Sequence, residues 1–334
     1  MPTESAPRNK TLLLSNEELS FFQKTFHKNF SGAFQIGNAV VNADFCEIAS
    51  TLPPCSIDLA LIDPPYNLTK VYDDAKFKKT TAKDYESWAS LWMPHIARAL
   101  KPTGSIYVCS DWASSTVIHS VLNRYFKVKN RITWQRDKGR GAAKNWKNNC
   151  EDVWFCTKSD EYTFNLDAVK VKKKVIAPYR DAQGLPKDWT EDDETGGFRM
   201  TAPSNVWTDI TVPFWSMPEN TEHPTQKPEK LFAKLMLASS NAGDMVFDPF
   251  LGSGTSAVVA KKLNRRFVGV EISSRYCALS LKRLKMAENN MTIQGFDGQF
   301  FYERNAGLDI AEGRNKVKSS VRSESNNNSA TLFE

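Results

Sequence analysis

Four consecutive residues, Asp63-Pro64-Pro65-Tyr66, close the apolar run SIDLALI, and their types suit chemistry better than they suit the continuation of a strand. Pro64 restricts Asp63 to extended backbone. Two adjacent prolines stiffen the loop and remove two backbone donors, which leaves bare carbonyl acceptors. An ionised carboxylate only accepts hydrogen bonds. The set therefore fits a group that donates twice, such as an exocyclic amine, with the Tyr66 ring as a stacking face. A tight turn with a packing tyrosine would account for one proline and not for the whole set.

A second candidate stretch reads VFDPFLGSGTSAVVAKKLNRRFVGVEIS. A short apolar run ends at Asp248, a glycine loop (Gly252, Gly254) opens a helix at Thr255, and a second apolar run ends on Glu271. Glycines at such a turn let backbone approach a ligand closely and free the helix N-terminus for polar contacts. An acid about 20 residues further on is placed to hold ribose hydroxyls. The spacing is not GxGxxG, and no Lys-Ser/Thr follows the glycines, so a P-loop is excluded. The combination points to a nucleoside cofactor.

These loops need a frame. SNEELSFFQKTFHKNF begins with a capping box, Ser15 and Glu18, ahead of helically spaced apolar residues. AFQIGNAVV, SIDLALID, GSIYVCS, KNRITWQR and EDVWFCTK read as strands, with helices at DFCEIASTL, KDYESWASLWMPHIARAL and ASSTVIHSVLNRYF. The alternation fails between 136 and 222 and resumes with PEKLFAKLMLASS, DMVFDPF, GTSAVVAKKL, RRFVGVEIS and SRYCALSLKRLKMAE. Strands apolar throughout and separated by helices predict an α/β, Rossmann-like, doubly wound and mostly parallel sheet covered on both faces. A small hairpin is expected near 290–302.

The 334 residues, 41% hydrophobic, suffice for one large domain carrying an insertion. No apolar run reaches the ~20 residues that span a bilayer, and no secretory leader is visible at MPTESAPRNK. The six cysteines lack CxxC spacing, and no two of the four histidines share a metal-ligand spacing. Reduced thiols in a cytoplasmic protein without a metal site are expected. A formal charge of +6 leans only slightly toward an anionic partner.

Together the motifs resemble those of the DNA amino-methyltransferases, the S-adenosylmethionine-dependent family marked by (D/N/S)PP(Y/F) and FxGxG loops. The matching residues are Asp63-Pro64-Pro65-Tyr66 and Phe250-Leu251-Gly252-Ser253-Gly254. HPTQKP, His223 to Pro228, resembles the segment preceding the FxGxG strand in the permuted beta class, and NADFCEIASTLPPCSIDLALIDPPYN resembles its lead-in. That lead-in reads Ala43-Asp44 where the family usually has Gly-Asp. The resemblance covers about residues 36–288.

It implies that Asp63 and the Pro64 carbonyl accept the hydrogens of a target amine, with Pro65 and Tyr66 completing the catalytic loop and Tyr66 stacking on a flipped-out base. It implies Glu271 at the cofactor ribose and Asp44 at its adenine. Thr225 and Lys227 are expected near the methionine carboxylate, and Asp63, Asp248, Phe250, Gly252, Gly254 and Thr255 along the cofactor. Asp at the first loop position usually accompanies N6-adenine and Ser N4-cytosine, so adenine is favoured. Cytosine, an RNA substrate and an inactive DNA-binding module stay open.

The expected organisation is a flexible arm (1–14), a catalytic half (15–135), a target-recognition insertion (136–222), a cofactor-binding half (223–302) and a polar tail (303–334). Residues 136–189 carry twelve Lys/Arg against eight Asp/Glu. Arg136, Lys138, Arg140, Lys144, Trp146, Lys147, Lys172 and Lys173 are the expected contacts to double-stranded DNA, as cations interleaved with aromatics suit phosphate and base-edge contacts. A cognate restriction endonuclease and a homodimer are partners that the resemblance admits.

Overall fold

Alternation along each strand decides which core its side chains enter. The computed structural model describes residues 8–73, 75–140, 143–175, 179–185, 187–190 and 197–301, with backbone alone at 75–76, 137–140 and 172–174. The first half contains α1 (Asn16–Phe22), α2 (Ala33–Ile36), β1 (Ala39–Asn42), α3 (Phe45–Ile48), β2 (Ile57–Ile62), β3 (Lys70–Tyr72), β4 (Ala75–Phe77) and α4 (Ala82–Ala99). Next come β5 (Leu100–Ser110), α5 (Ser115–Leu122), β6 (Lys127–Arg140), β7 (Asn148–Thr157), β8 (Val171–Lys174), β9 (Phe198–Thr201) and β10 (Val206–Trp207). The chain then adds α6 (Glu229–Ser239), β11 (Met245–Asp248), α7 (Thr255–Lys262), β12 (Arg266–Glu271) and α8 (Ser274–Ala287).

Eight strands form one sheet in the order β1-β12-β11-β2-β5-β7-β6-β10. The five from β1 to β5 are mutually parallel, β7 runs antiparallel to both β5 and β6, and β10 runs parallel to β6. Within β2, Ala60 and Ile62 enter one core while Leu59 and Leu61 enter the other. β11 divides Phe247 from Val246 in the same way, and β12 divides Val268 from Phe267. A parallel sheet covered by helices on both faces requires such continuous apolar runs.

From β11 the chain winds through α7 to β12 on one side; from β2 it winds through α4 to β5 on the other. β11 and β2 are neighbours, with Phe247 opposite Ala60. The direction of winding therefore reverses between them, and their carboxyl ends splay apart at the position where doubly wound sheets bind ligands.

Two local expectations are corrected. AFQIGNAVV is not one strand: Ala33–Ile36 is helical, Gly37 and Asn38 take positive φ of 64° and 56°, and the strand starts at Ala39. β6 and β7, both read as strands, pair antiparallel as a hairpin, because the connection between them is too short for a parallel crossover. Residues 10–14 are not a free arm. Lys10 N donates to Trp215 O (2.6 Å), Leu12 N to Asn220 O (2.8 Å), and Leu14 is buried against Phe22 and Ala278. The capping box of α1 forms as read, with Glu18 N to Ser15 Oγ at 3.2 Å and Ser15 N to Glu18 Oε2 at 3.0 Å. Near the C-terminus, antiparallel bridges join Ile293 to Phe296 and Phe296 to Phe301. The tail from 303 lies outside the described residues, as do residues 1–7 of the arm.

Candidate active site

The carboxyl ends of β1, β12, β11 and β2 deliver four acids to one cavity: Asp44, Glu271, Asp248 and Asp63 all line it. Its volume is about 380 Å3, suited to a small-molecule ligand. Pro64, Pro65, Tyr66, Thr225, Lys227, Phe250, Gly252 and Thr255 line it too, so the catalytic-loop and glycine-loop residues share one space.

Three of these acids, Asp44, Asp248 and Glu271, are anchored by loop backbone. Asp44 caps α3, accepting from Cys46 N at 2.8 Å. Asp248 accepts from Phe250 N (3.0 Å) and Ser256 Oγ (2.5 Å), and burial pushes its carboxyl up to about 7. Glu271 accepts from Gly252 N and Ser273 N, both at 2.8 Å, which ties the acid of β12 to the glycine loop; burial raises this carboxyl as well.

Two glycines are obligatory here. Gly252 has φ +53°, and a Cβ on it would stand 3.0 Å from His223 Nε2. Gly254 has φ +83°, and a Cβ would stand 2.4 Å from Ser280 Cβ. His223 packs edge-on to Tyr276 at 4.5 Å, and burial together with the Lys227 charge lowers its imidazole to about 3, leaving it neutral beneath the loop. Thr255 Oγ1 donates to Lys227 O (3.0 Å) and accepts from Arg283 Nη1 (3.0 Å). Arg283 also reaches Ser253 O (2.9 Å) and Glu229 (3.0 Å), so it clamps the glycine loop from behind.

On the other wall, Tyr85 Oη donates to the Pro65 carbonyl at 2.9 Å, whereas among the described residues no hydrogen bond reaches the Pro64 carbonyl. Lys227 Nζ lies 2.8 Å from both Asp63 oxygens and 3.3 Å from Glu151 Oε2. Burial raises the Asp63 carboxyl, and the Lys227 ammonium opposes that rise. Flanked by two carboxylates, Lys227 itself is held firmly charged despite its burial. Tyr66 Oη sits 3.1 Å from Asp63 Oδ1 and 2.9 Å from Glu151 Oε2. The Lys227 charge, expected from the resemblance near a cofactor carboxylate, pairs across the cavity wall with Asp63 and Glu151.

An aromatic wall, of which the sequence named only Phe250, completes the cavity. Phe250 packs on Phe45 (6.0 Å), Trp88 (5.7 Å) and Trp92 (5.3 Å), and Phe77 of β4 lies 5.6 Å from Trp88. The β3–β4 hairpin also carries Tyr72 into the lining. Asp73, at its turn, accepts from Ser273 Oγ at 2.7 Å, linking the catalytic half to the far side of the cavity.

The expected DNA contacts are dispersed. Arg136 pairs with Glu151 at 2.8 Å. Lys144, Trp146 and Lys147 are exposed in the β6–β7 connection, Trp146 at 93%. Lys138 and Arg140 lie in β6, and Lys172 and Lys173 in β8 against β9; their side chains are outside the described residues.

The cavity suits S-adenosylmethionine: carboxylates at two adjacent strand ends match ribose hydroxyls and an adenine amine, and the aromatic wall matches a purine face. Comparison with known proteins agrees. A family model described as DNA methylase, of the N6/N4 type, matches residues 57–282. Type II methyltransferase M.HpaI of Haemophilus parainfluenzae is 36% identical over 251 residues, covering 72% of this chain and 71% of that protein. DNA adenine methyltransferase YhdJ of Escherichia coli (strain K12) is 33% identical over 252 residues, covering 75% and 83%. Among solved structures, the PvuII DNA methyltransferase, described as cytosine-N4-specific, shares the fold with a TM-score of 0.54 at 17% identity, covering 76% of this chain and 92% of that one.

Proposed function

This chain belongs to the N6/N4 DNA methylase family, which uses S-adenosylmethionine, and from that premise we propose that it methylates the N6 amine of adenine in double-stranded DNA. The observation that carries the reading is one cavity lined by Asp63 and Tyr66 on one side and by Gly252 and Glu271 on the other. Bound S-adenosylmethionine supplies an electrophilic sulfonium methyl. Asp44 and Glu271 hold its adenine and ribose, with Asp248, Thr225, Thr255 and the Phe250 ring around it.

An adenine amine is a weak nucleophile because its lone pair is delocalised into the ring. Asp63 and the Pro64 carbonyl accept its two hydrogens and so aim the lone pair into the cavity. Catalysis is then mainly positioning and electrostatics, with the Asp63 carboxylate facing the charge that grows on nitrogen as the methyl group passes from sulfur, which leaves as a neutral thioether. The methylated nitrogen, now acidic, then gives up one proton to solvent. The target base must leave the duplex to reach this depth, and the Tyr66 ring receives it. Adenine is favoured over cytosine by the acid at position 63 and by the name of the YhdJ relative.

The expected 136–222 insertion is not separate from the sheet, since β7 lies inside it beside β5. Target recognition in this reading falls to the β6–β7 connection, with Lys144, Trp146 and Lys147 exposed, and to the segment after β7. The reading extends to a cytoplasmic protein, a homodimer and a cognate endonuclease, checked by sedimentation and by protection of methylated DNA from cleavage. The decisive experiment incubates the protein with S-adenosylmethionine and unmethylated duplex DNA, then analyses nucleosides by mass spectrometry. N6-methyladenine from the wild type and none from Asp63→Ala, with cofactor binding retained, is the expected result. N4-methylcytosine, or methylation of RNA alone, overturns it.

A further inference from the structure

Glu151 belongs to none of the sequence motifs, yet it is the third charged group of the catalytic cluster. It lies on β7, is only 6% exposed, and shares its strand face with buried Val153 and Phe155. Its Oε2 meets Tyr66 Oη at 2.9 Å and Lys227 Nζ at 3.3 Å, and its Oε1 meets Arg136 Nη1 at 2.8 Å. Charges therefore alternate from Asp63 through Lys227 and Glu151 to Arg136. The three ammonium hydrogens of Lys227 are matched by three carboxylate oxygens, two from Asp63 and one from Glu151.

Tyr66 carries a single phenolic proton between two acceptors, Asp63 Oδ1 at 3.1 Å and Glu151 Oε2 at 2.9 Å. Given to Asp63, that proton occupies a further lone pair of a carboxylate already bound twice by Lys227. Given to Glu151, the shorter contact, it leaves Asp63 an oxygen site for the incoming amine. We propose that Glu151 is a positioning residue for methyl transfer, accepting the Tyr66 hydrogen bond and sharing the Lys227 ammonium so that Asp63 stays open to the target amine. This rests on the reading of Asp63 as the amine acceptor.

The charged and titratable groups around Asp63 are Lys227 and Tyr66 in contact, Glu151 one step beyond them, and Tyr72, Tyr85, Cys109 and Asp248 further off. Among them Glu151 raises the Asp63 carboxyl and Lys227 lowers it. Glu151→Gln keeps the volume and removes the charge. Its kcat is expected to fall about a hundredfold, as for other losses of positioning, while Kd for cofactor and for duplex stays within about threefold, an affinity change under 1 kcal/mol.

The acid limb of its pH–rate profile should move to lower pH, a change that loss of packing alone does not produce. Carboxyl 13C NMR of aspartate-labelled protein, assigned with Asp63→Asn, reads the same shift without turnover. A kcat near the wild type, or a kcat loss with the Asp63 titration unmoved, overturns the proposal. If Glu151→Gln does not fold, Glu151→Asp carries the test: it keeps the charge but shortens the reach, so kcat should fall with the Asp63 titration unchanged, and an undiminished kcat overturns the proposal. A wild-type protein that transfers no methyl group sinks the functional reading instead, and the NMR comparison still decides whether Glu151 governs Asp63.

Discussion

Replacing Lys227 by Met removes a charge and keeps much of the side chain, so it isolates the electrostatic link between the two halves of the site. The Lys227 side chain is 6% exposed and its ammonium lies 2.8 Å from both oxygens of Asp63. At an effective dielectric near 20, a pair at that distance attracts by about 6 kcal/mol before desolvation is counted. Removing one member of such a buried pair costs roughly 3–5 kcal/mol, because the other charge stays buried alone. Here two carboxylates, Asp63 and Glu151, lose their shared counter-ion.

The sign with pH follows from Asp63, whose carboxyl is already raised by burial and is held back by Lys227. Without Lys227 it rises further. A raised carboxyl contributes stability that is fully present below its unfolded pKa and lost as pH rises through the folded one. The stability deficit of Lys227→Met should therefore be smallest in acid and widen toward neutral pH. Its acid limb of activity should move to higher pH, opposite to the shift expected for Glu151→Gln. Urea denaturation at several pH values and single-turnover methylation read both effects. A deficit below about 1 kcal/mol at pH 8, the level of a surface pair, or an acid limb that stays in place, refutes the reasoning.

Other perturbations test other parts of the frame. Gly254→Ala combines a left-handed backbone with a Cβ placed 2.4 Å from Ser280 Cβ, and should cost roughly 2–5 kcal/mol from strain plus overpacking, with cofactor affinity lost in calorimetry. Gly184→Ala has a similar φ of +81° but nothing within 4 Å, so it should show only the ~1–2 kcal/mol of strain; equal losses at the two sites would contradict the clash. Tyr85→Phe removes the hydrogen bond to the Pro65 carbonyl and should lower kcat several-fold with cofactor affinity unchanged, at about 1 kcal/mol of stability; unchanged kcat would mean the loop holds itself. Asp248, raised from 3.8 to about 7, contributes stability that is full below the lower value and fades as pH rises through the upper one. In Asp248→Asn that part of the pH dependence should vanish from urea midpoints, and an unchanged slope would refute the assignment.

How far the sequence reaches depends on how local the physics is. The loops 63–66 and 250–254 are legible because prolines and glycines declare their backbone requirements within a few residues. The apolar runs of β2, β11 and β12 are legible because burial on both faces leaves no polar alternation. The β3–β4 hairpin is not, since LTKVYDDAKFKK is short and charged, and its place is set by contacts such as Asp73 with Ser273, two hundred residues away. The antiparallel course of β7 was open to inference from the short connection after β6, which cannot hold a crossover helix. A four-residue helix at Ala33–Ile36 depends on the turn at Gly37 and Asn38, whose positive φ no periodicity announces.

Glu151 marks where local reading ends and where a sharper rule begins. EDVWFCT looks like an apolar strand with acids at its entrance, and solvated acids are the ordinary expectation. Yet strict alternation puts Glu151 in register with Val153 and Phe155, on the face that must be buried, whereas Asp152 falls on the other. An acid on the inward register of a core strand needs a cation, or it neutralises. Among the described residues Lys227 and Arg136 answer that need, one from the HPTQKP segment and one from β6. Arg136 faces Glu151 across the β6–β7 hairpin, whereas Lys227 is remote in sequence; the order of the sheet brings it in, as β7 lies beside β5 and β5 beside β2, which ends just before Asp63. The alternation rule thus predicts that a buried charge partner exists, and only the topology names it.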